Sequence, residues 1–190
     1  MKESTHKKLL DATRKIIWKN GINNTSVDQI CEEAGLSKMT FYRAYENNFD
    51  IIKEILDENY EKVGKIYDEI FNKNIPFIEK IMEIIYYNTE SVKEISPDLI
   101  RDIVKQDNPQ MKEYLEGKNQ YYRDLILKYV AIEQKKGNFR DDVKIEFISF
   151  FLEHINELSL NQRLQQIYES TDELVNQLTK MFYFGILRRN

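Results

Sequence analysis

The sequence predicts an all-α fold from three observations. Apolar residues recur at helical spacing almost throughout the 190 residues, period-2 alternation is scarce, and only six glycines and three prolines break the pattern. With 42% hydrophobic and 32% charged residues, the chain has the means to bury a core rather than stay disordered. About nine helices are expected, in an N-terminal three-helix domain over residues 1–48 and a C-terminal helical domain over residues 49–190.

Leu9, Leu10, Ala12, Ile16 and Ile17 form the first apolar stripe and predict a helix over about 5–20, closed by Asn20-Gly21. Thr25-Ser26-Val27-Asp28 reads as a capping-box variant in which the Thr25 hydroxyl accepts a first-turn N–H. The second helix then runs to Ala34 and stops at Gly35. After the turn Gly35-Leu36-Ser37, Ser37 caps a third helix over Lys38–Tyr45. Asn47, with Asp50 three residues on, caps a fourth that continues through Ile52, Ile55, Leu56, Val63, Ile66 and Ile70. Further helices are predicted over 76–91, 98–106, 109–136, 142–165 and 170–188. Pro97 and Pro109 suit first turns, Gly137 ends the longest helix, and Ser170-x-x-Glu173 boxes the start of the last.

Composition excludes several classes. Cys31 stands alone, without the second thiol of a disulfide, redox or zinc motif, and reads as a core side chain. No signal-type apolar run opens the chain and no stretch of about 18 apolar residues occurs, so a cytoplasmic protein with no membrane segment is expected. His6 and His154 lack the spacing of metal ligands. Phe151 occupies the position three before His154, where a di-iron bundle needs Glu. No phosphate-cradling glycine loop is present either, so neither a catalytic residue, a metal nor a cofactor is expected, and the chain does not read as an enzyme.

The formal charge of −4 conceals an asymmetry: residues 1–53 hold nine Lys/Arg against seven Asp/Glu, a net +2, which leaves −6 for the rest. Two helices joined by a three-residue turn containing Gly, behind a packing helix, make the helix-turn-helix arrangement, whose second helix enters the major groove of DNA. Val27, Ile30, Cys31, Ala34, Leu36 and Phe41 fill its inward positions, leaving Lys38, Met39, Thr40, Tyr42 and Arg43 to point outward.

The stretch Thr25-Ser26-Val27-Asp28-Gln29-Ile30-Cys31-Glu32-Glu33-Ala34-Gly35-Leu36-Ser37-Lys38-Met39-Thr40-Phe41-Tyr42-Arg43-Ala44-Tyr45 resembles the DNA-binding signature of the TetR family, and the likeness extends over roughly residues 5–55. The resemblance implies a homodimeric regulator of transcription that binds a near-palindromic double-stranded operator, a ligand-responsive repressor in the leading case. The alternative it leaves is a DNA-bound protein-interaction module of the same fold. It implies phosphate contacts for Thr25 and Tyr42 and a groove-facing role for Lys38, Met39 and Thr40. Hydroxyls such as that of Ser37, helix N-termini and the charges of Lys38 and Arg43 suit phosphate and guanine acceptors. Where the family usually carries Lys at the start of the fourth helix, this chain has Asn48, a donor without full charge.

The C-terminal domain carries Tyr60, Tyr67, Tyr86, Tyr87, Tyr114, Tyr121, Tyr122 and Tyr129 on the helices that enclose the effector cavity in TetR-like proteins. Tyrosine combines apolar area, a hydroxyl and a cation-attracting face. Tyr86, Tyr122 and Tyr129 are therefore the candidate contacts for a small-molecule effector that is apolar or aromatic, or cationic. A homodimer interface is expected from the two last long helices, through Phe151, Ile155, Leu158, Leu174, Leu178 and Phe182.

Overall fold

A computed structural model of the chain describes residues 3–93 and 95–188. Among these residues there are ten helices: α1 (Glu3–Asn20), α2 (Val27–Ala34), α3 (Lys38–Tyr42), α4 (Asn48–Asn72), α5 (Phe77–Lys93), α6 (Pro97–Val104), α7 (Pro109–Lys135), α8 (Ile145–Ser159), α9 (Gln162–Gln165) and α10 (Thr171–Ile186). The all-α class holds; the non-helical pairing described is an isolated antiparallel bridge between Phe139 and Leu187.

The region expected as one helix over 142–165 divides into α8 and α9. The physical cause is Asn161, whose side chain accepts from the backbone N–H groups of Arg163 and Leu164 and so restarts the helix as an N-cap. The helix expected over Lys38–Tyr45 ends at Tyr42, because the N–H of Ala44 turns to the Phe41 carbonyl.

The chain forms two compact units. One unit comprises Met1–Lys62 with Glu94–Glu113, the other Val63–Lys93 with Tyr114–Asn190. The first therefore takes in α6 as well as the three N-terminal helices. Its buried side chains include Leu9, Ile17, Ile30, Phe41, Ile51, Ile55 and Leu99. In the second, Tyr67, Ile81, Ile84, Phe139, Ile148 and Phe182 anchor the core. Each such residue contributes roughly 1.5–3 kcal/mol of burial relative to exposure, so the two cores rather than helix propensity hold the units together.

Candidate nucleic-acid interface

The geometry of α2 and α3 follows from three local devices. Ser26 takes extended backbone angles and accepts from the N–H of Gln29, whose side chain accepts in return from the Ser26 N–H, a complete capping box. Gly35 closes α2 in the left-handed region (φ 64°), which only glycine enters at no steric cost, and the chain reverses directly into α3. Ser37 then caps α3 by accepting from the N–H of Thr40, and the two hydroxyls lie 2.9 Å apart.

Phe41 is fully buried and fixes which side of α3 faces inward. The opposite side presents Ser37, Lys38, Met39, Tyr42 and Arg43, all exposed, with Thr40 half-buried beside them. Met39 is 68% exposed and Tyr42 56%, a costly way to display apolar area on so short a helix unless something covers it. The end of α3 is pinned by Tyr45, which is buried, donates to Glu54 of α4 at 2.7 Å and stacks near His6 of α1. His6 Nε2 lies 3.0 Å from the other oxygen of Glu54. This three-element tie, absent from the site read in the sequence, orients the exposed face of α3.

The charged groups are held ready rather than loose. Lys38 Nζ lies 2.6 Å from Asp28, and that hydrogen bond raises the lysine pKa. Arg43 reaches the sulfur of Met39 at 3.6 Å. Cys31 is buried on the inner face of α2, and its thiol is pushed up by that burial, which suits the structural role expected of it.

Thr25 requires a correction. It is buried, its hydroxyl donates to the Gly21 carbonyl at 2.7 Å, and Ser26 is the α2 cap. The cap role expected of Thr25 thus belongs to Ser26, which is exposed at the helix start. The Ser26-x-x-Gln29 spacing carries the capping-box signal in the sequence. Asn48 is half-buried, and its amide donates to the Thr25 carbonyl at 2.8 Å, so it joins two elements of the unit.

In the second unit the three candidate tyrosines part company. Tyr122 is half-buried and donates to Tyr67, whose hydroxyl also bonds Asn88 at 3.2 Å and lies 3.5 Å from that of Tyr183. Burial raises the pKa of Tyr122 and Tyr183 well above the usual tyrosine range. Tyr129 stacks on Phe71 at 4.0 Å and donates to Asp68. Tyr86 is 68% exposed on the surface of α5, away from these buried rings. Tyr67 and Tyr183, the centre of the hydroxyl cluster, were not among the candidates.

Of the residues expected at a dimer interface, Leu174 and Phe182 are buried in the unit's own core, where Phe151 stacks on Phe182 at 5.9 Å. Phe151, Ile155, Leu158 and Leu178 are half-buried. The exposed apolar groups on α8 and α10 are Phe147, Phe150, Met181 and Phe184. His154 is exposed beside the Phe150 ring.

Two helices at a three-residue turn, capped at both starts and presenting a polar and aromatic face over a buried phenylalanine, define a helix-turn-helix regulator of the DNA-binding class. Residues 9–55 match the family model described as bacterial regulatory proteins, tetR family. That match places a TetR-type DNA-binding region within residues 9–55. The chain is 22% identical to the uncharacterized HTH-type transcriptional regulator YvkB of Bacillus subtilis (strain 168), over 96% of this chain and 97% of that protein. In fold it is similar to the regulatory protein TetR from Rhodobacter sphaeroides (TM-score 0.75, 14% identity, 96% and 99% of the two chains covered). It is also similar to the transcriptional regulator FadR from Bacillus subtilis, solved in complex with stearoyl-CoA (TM-score 0.72, 16% identity, 95% and 99% covered). No helix among the described residues is long and apolar enough to cross a membrane.

Proposed function

We propose that the chain is a cytoplasmic, homodimeric, ligand-responsive repressor that binds a near-palindromic operator through α3. One observation carries the DNA-binding part: Ser37, Lys38, Met39, Tyr42 and Arg43 stand exposed together on a helix whose other side is locked by buried Phe41. A twofold dimer presents that face twice, about one DNA turn apart, which is why the operator is a near-palindrome. Phe147, Phe150, Met181 and Phe184 support the dimer, since exposed aromatic and methionine side chains are the composition of interface cores.

The effector is apolar or aromatic, or cationic, and binds in the second unit. Tyr122 and Tyr129 remain its candidate contacts, joined by Tyr67; exposed Tyr86 serves best at the rim of such a site. To release DNA, the effector must prefer the conformation with poorly spaced recognition helices.

A second reading, a DNA-bound protein-interaction module without a small molecule, is favoured by the Tyr67 cluster, where the Tyr67 hydroxyl is hydrogen-bonded to Tyr122, Tyr183 and Asn88. One experiment separates the two. Duplex recovered by the full-length protein from random sequence is challenged with stearoyl-CoA, an aromatic cation and a polar control. Release by either of the first two supports the repressor; retention against all supports the interaction module; and failure to recover any duplex contradicts DNA binding.

A further inference from the structure

A cavity of about 160 Å³ lies within the first unit, where the α1–α2 loop, the first turns of α4 and the junction of α6 with α7 meet. Its apolar lining is Ile22, Ile52 and Met111, all buried, with half-buried Phe49 beside them. Its polar lining is Asn23, Thr25, Asn48, Gln106 and Asn108, so every lining side chain is uncharged and four of the polar ones are carboxamides.

Each carboxamide is only partly committed to the protein itself. Asn48 donates one amide proton to the Thr25 carbonyl, which leaves its Oδ1 and second proton without a partner among the described residues. Asn108 accepts the N–H of Met111 at the start of α7 and keeps both of its amide protons. Gln106 accepts the Asn108 N–H and gives one proton to the Asp102 carbonyl at 3.4 Å, keeping the other. Asn23 donates its backbone N–H and its amide to the buried carboxylate of Asp102, each at 2.9 Å, and keeps Oδ1. Among the described residues no side-chain polar atom sealed from solvent lacks a hydrogen bond, so these remaining donors and acceptors are accessible to an incoming group.

Size and lining select a ligand class. A cavity of about 150 Å³ holds one benzene ring, so this one admits a single small ring. Ile22, Ile52 and Met111 favour an apolar face, and the Met111 thioether and Phe49 ring add the contacts that sulfur and aromatic groups make with a flat ring. A sugar, with hydroxyls around its whole rim, would leave several of them unpaired against that lining. A carboxamide presents a donor and an acceptor side by side, the complement of an amide or lactam edge in which N–H and C=O are adjacent. The uncharged lining offers no counter-charge to a carboxylate, a phosphate or an ammonium group.

We propose that this cavity binds a small neutral ring bearing an amide edge, of the nicotinamide or pyrimidine type, at a site separate from the effector site proposed in the second unit. The inference goes beyond the proposed function and stands without it, because all the lining residues belong to the first unit.

The test is calorimetric titration of the full-length protein with nicotinamide, with uracil and, as a ring without an amide, with benzene, followed by amide hydrogen exchange on the saturated protein. Nicotinamide or uracil should bind saturably in the millimolar range or tighter, and benzene at least about tenfold more weakly. Exchange should slow several-fold over residues 22–25, 48–52 and 106–111 and stay unchanged in α8 and α10. Asn108→Asp keeps the acceptor at the start of α7 and removes the spare amide protons, whereas Asn48→Leu removes a whole amide at similar volume. Each should weaken binding by about three- to tenfold, the worth of one hydrogen bond. If Asn48→Leu does not fold, the milder Asn108→Asp decides the outcome. No saturable binding of either amide ring, benzene binding as tightly, slowed exchange confined to the second unit, or unchanged affinity in the folded variants overturns the proposal.

Discussion

Asn48 donates its side-chain amide to the backbone carbonyl of Thr25 at 2.8 Å, fastening the first residue of α4 to the residue before the α2 cap. That amide is used here to brace the start of α2 from within the unit. Asn48→Ala should therefore cost about 0.5–1.5 kcal/mol of stability by chemical denaturation, the net worth of one hydrogen bond. Asn48→Lys should lose a comparable amount, yet bind DNA more tightly at low salt, with a salt slope steeper by about one phosphate contact.

Lys38 is paired with Asp28, so the DNA contact proposed for Lys38 exchanges one anionic partner for another. Asp28→Asn frees the ammonium group and removes a negative charge facing phosphate. Duplex affinity should rise, most at low ionic strength, as read by fluorescence anisotropy; a fall would mean that the pair orders the site rather than restrains it.

How much of the fold and site is legible in the sequence depends on the range of the interaction. Gly35, Ser37 and the apolar spacing of Ile30, Cys31 and Phe41 act within a few residues, so the helix-turn-helix can be read directly. Thr25 and Ser26 are adjacent hydroxyls with overlapping capping spacings, and only the fold decides that Ser26 caps while Thr25 turns inward. Asn161 breaks a helix because its own side chain competes for backbone N–H groups, a local signal masked by strong flanking apolar periodicity. Asp102 and Asn23 lie 79 residues apart, and a lone aspartate in an amphipathic helix reads as a surface charge until the partner is in place.

The buried tyrosines make stability sensitive to alkali. Burial raises the pKa of Tyr67, Tyr122 and Tyr183 above the ordinary value of 10.0, so the folded state holds these protons more tightly than the unfolded one. Their contribution is full below about pH 10 and is lost as pH rises beyond it. Tm should fall steeply above pH 10, and Tyr122→Phe should soften that fall while raising the fraction of tyrosine titrating normally in ultraviolet difference spectra.

Phe150, 61% exposed on α8, is the apolar side chain whose charge substitution best tests the proposed dimer. Wild type should scatter light as a dimer at micromolar concentration, and a stable interface should bury about 1,500 Å² or more. Phe150→Asp should shift the mass toward the monomer and weaken duplex binding in parallel, since half-sites are then engaged singly. An unshifted mass would place the interface elsewhere.

The central claim is that the exposed face of α3 reads DNA, and the salt dependence of binding tests it most directly. Anisotropy with selected duplex, at two salt concentrations, should show Lys38→Ala weaker than wild type with a slope shallower by about one unit. Tyr42→Phe keeps the exposed ring and its edge contact with Phe41, so it should lose about 0.5–1.5 kcal/mol of affinity with no change in Tm. Unchanged affinity and slope in both variants would contradict the claim and remove α3 as the reading head.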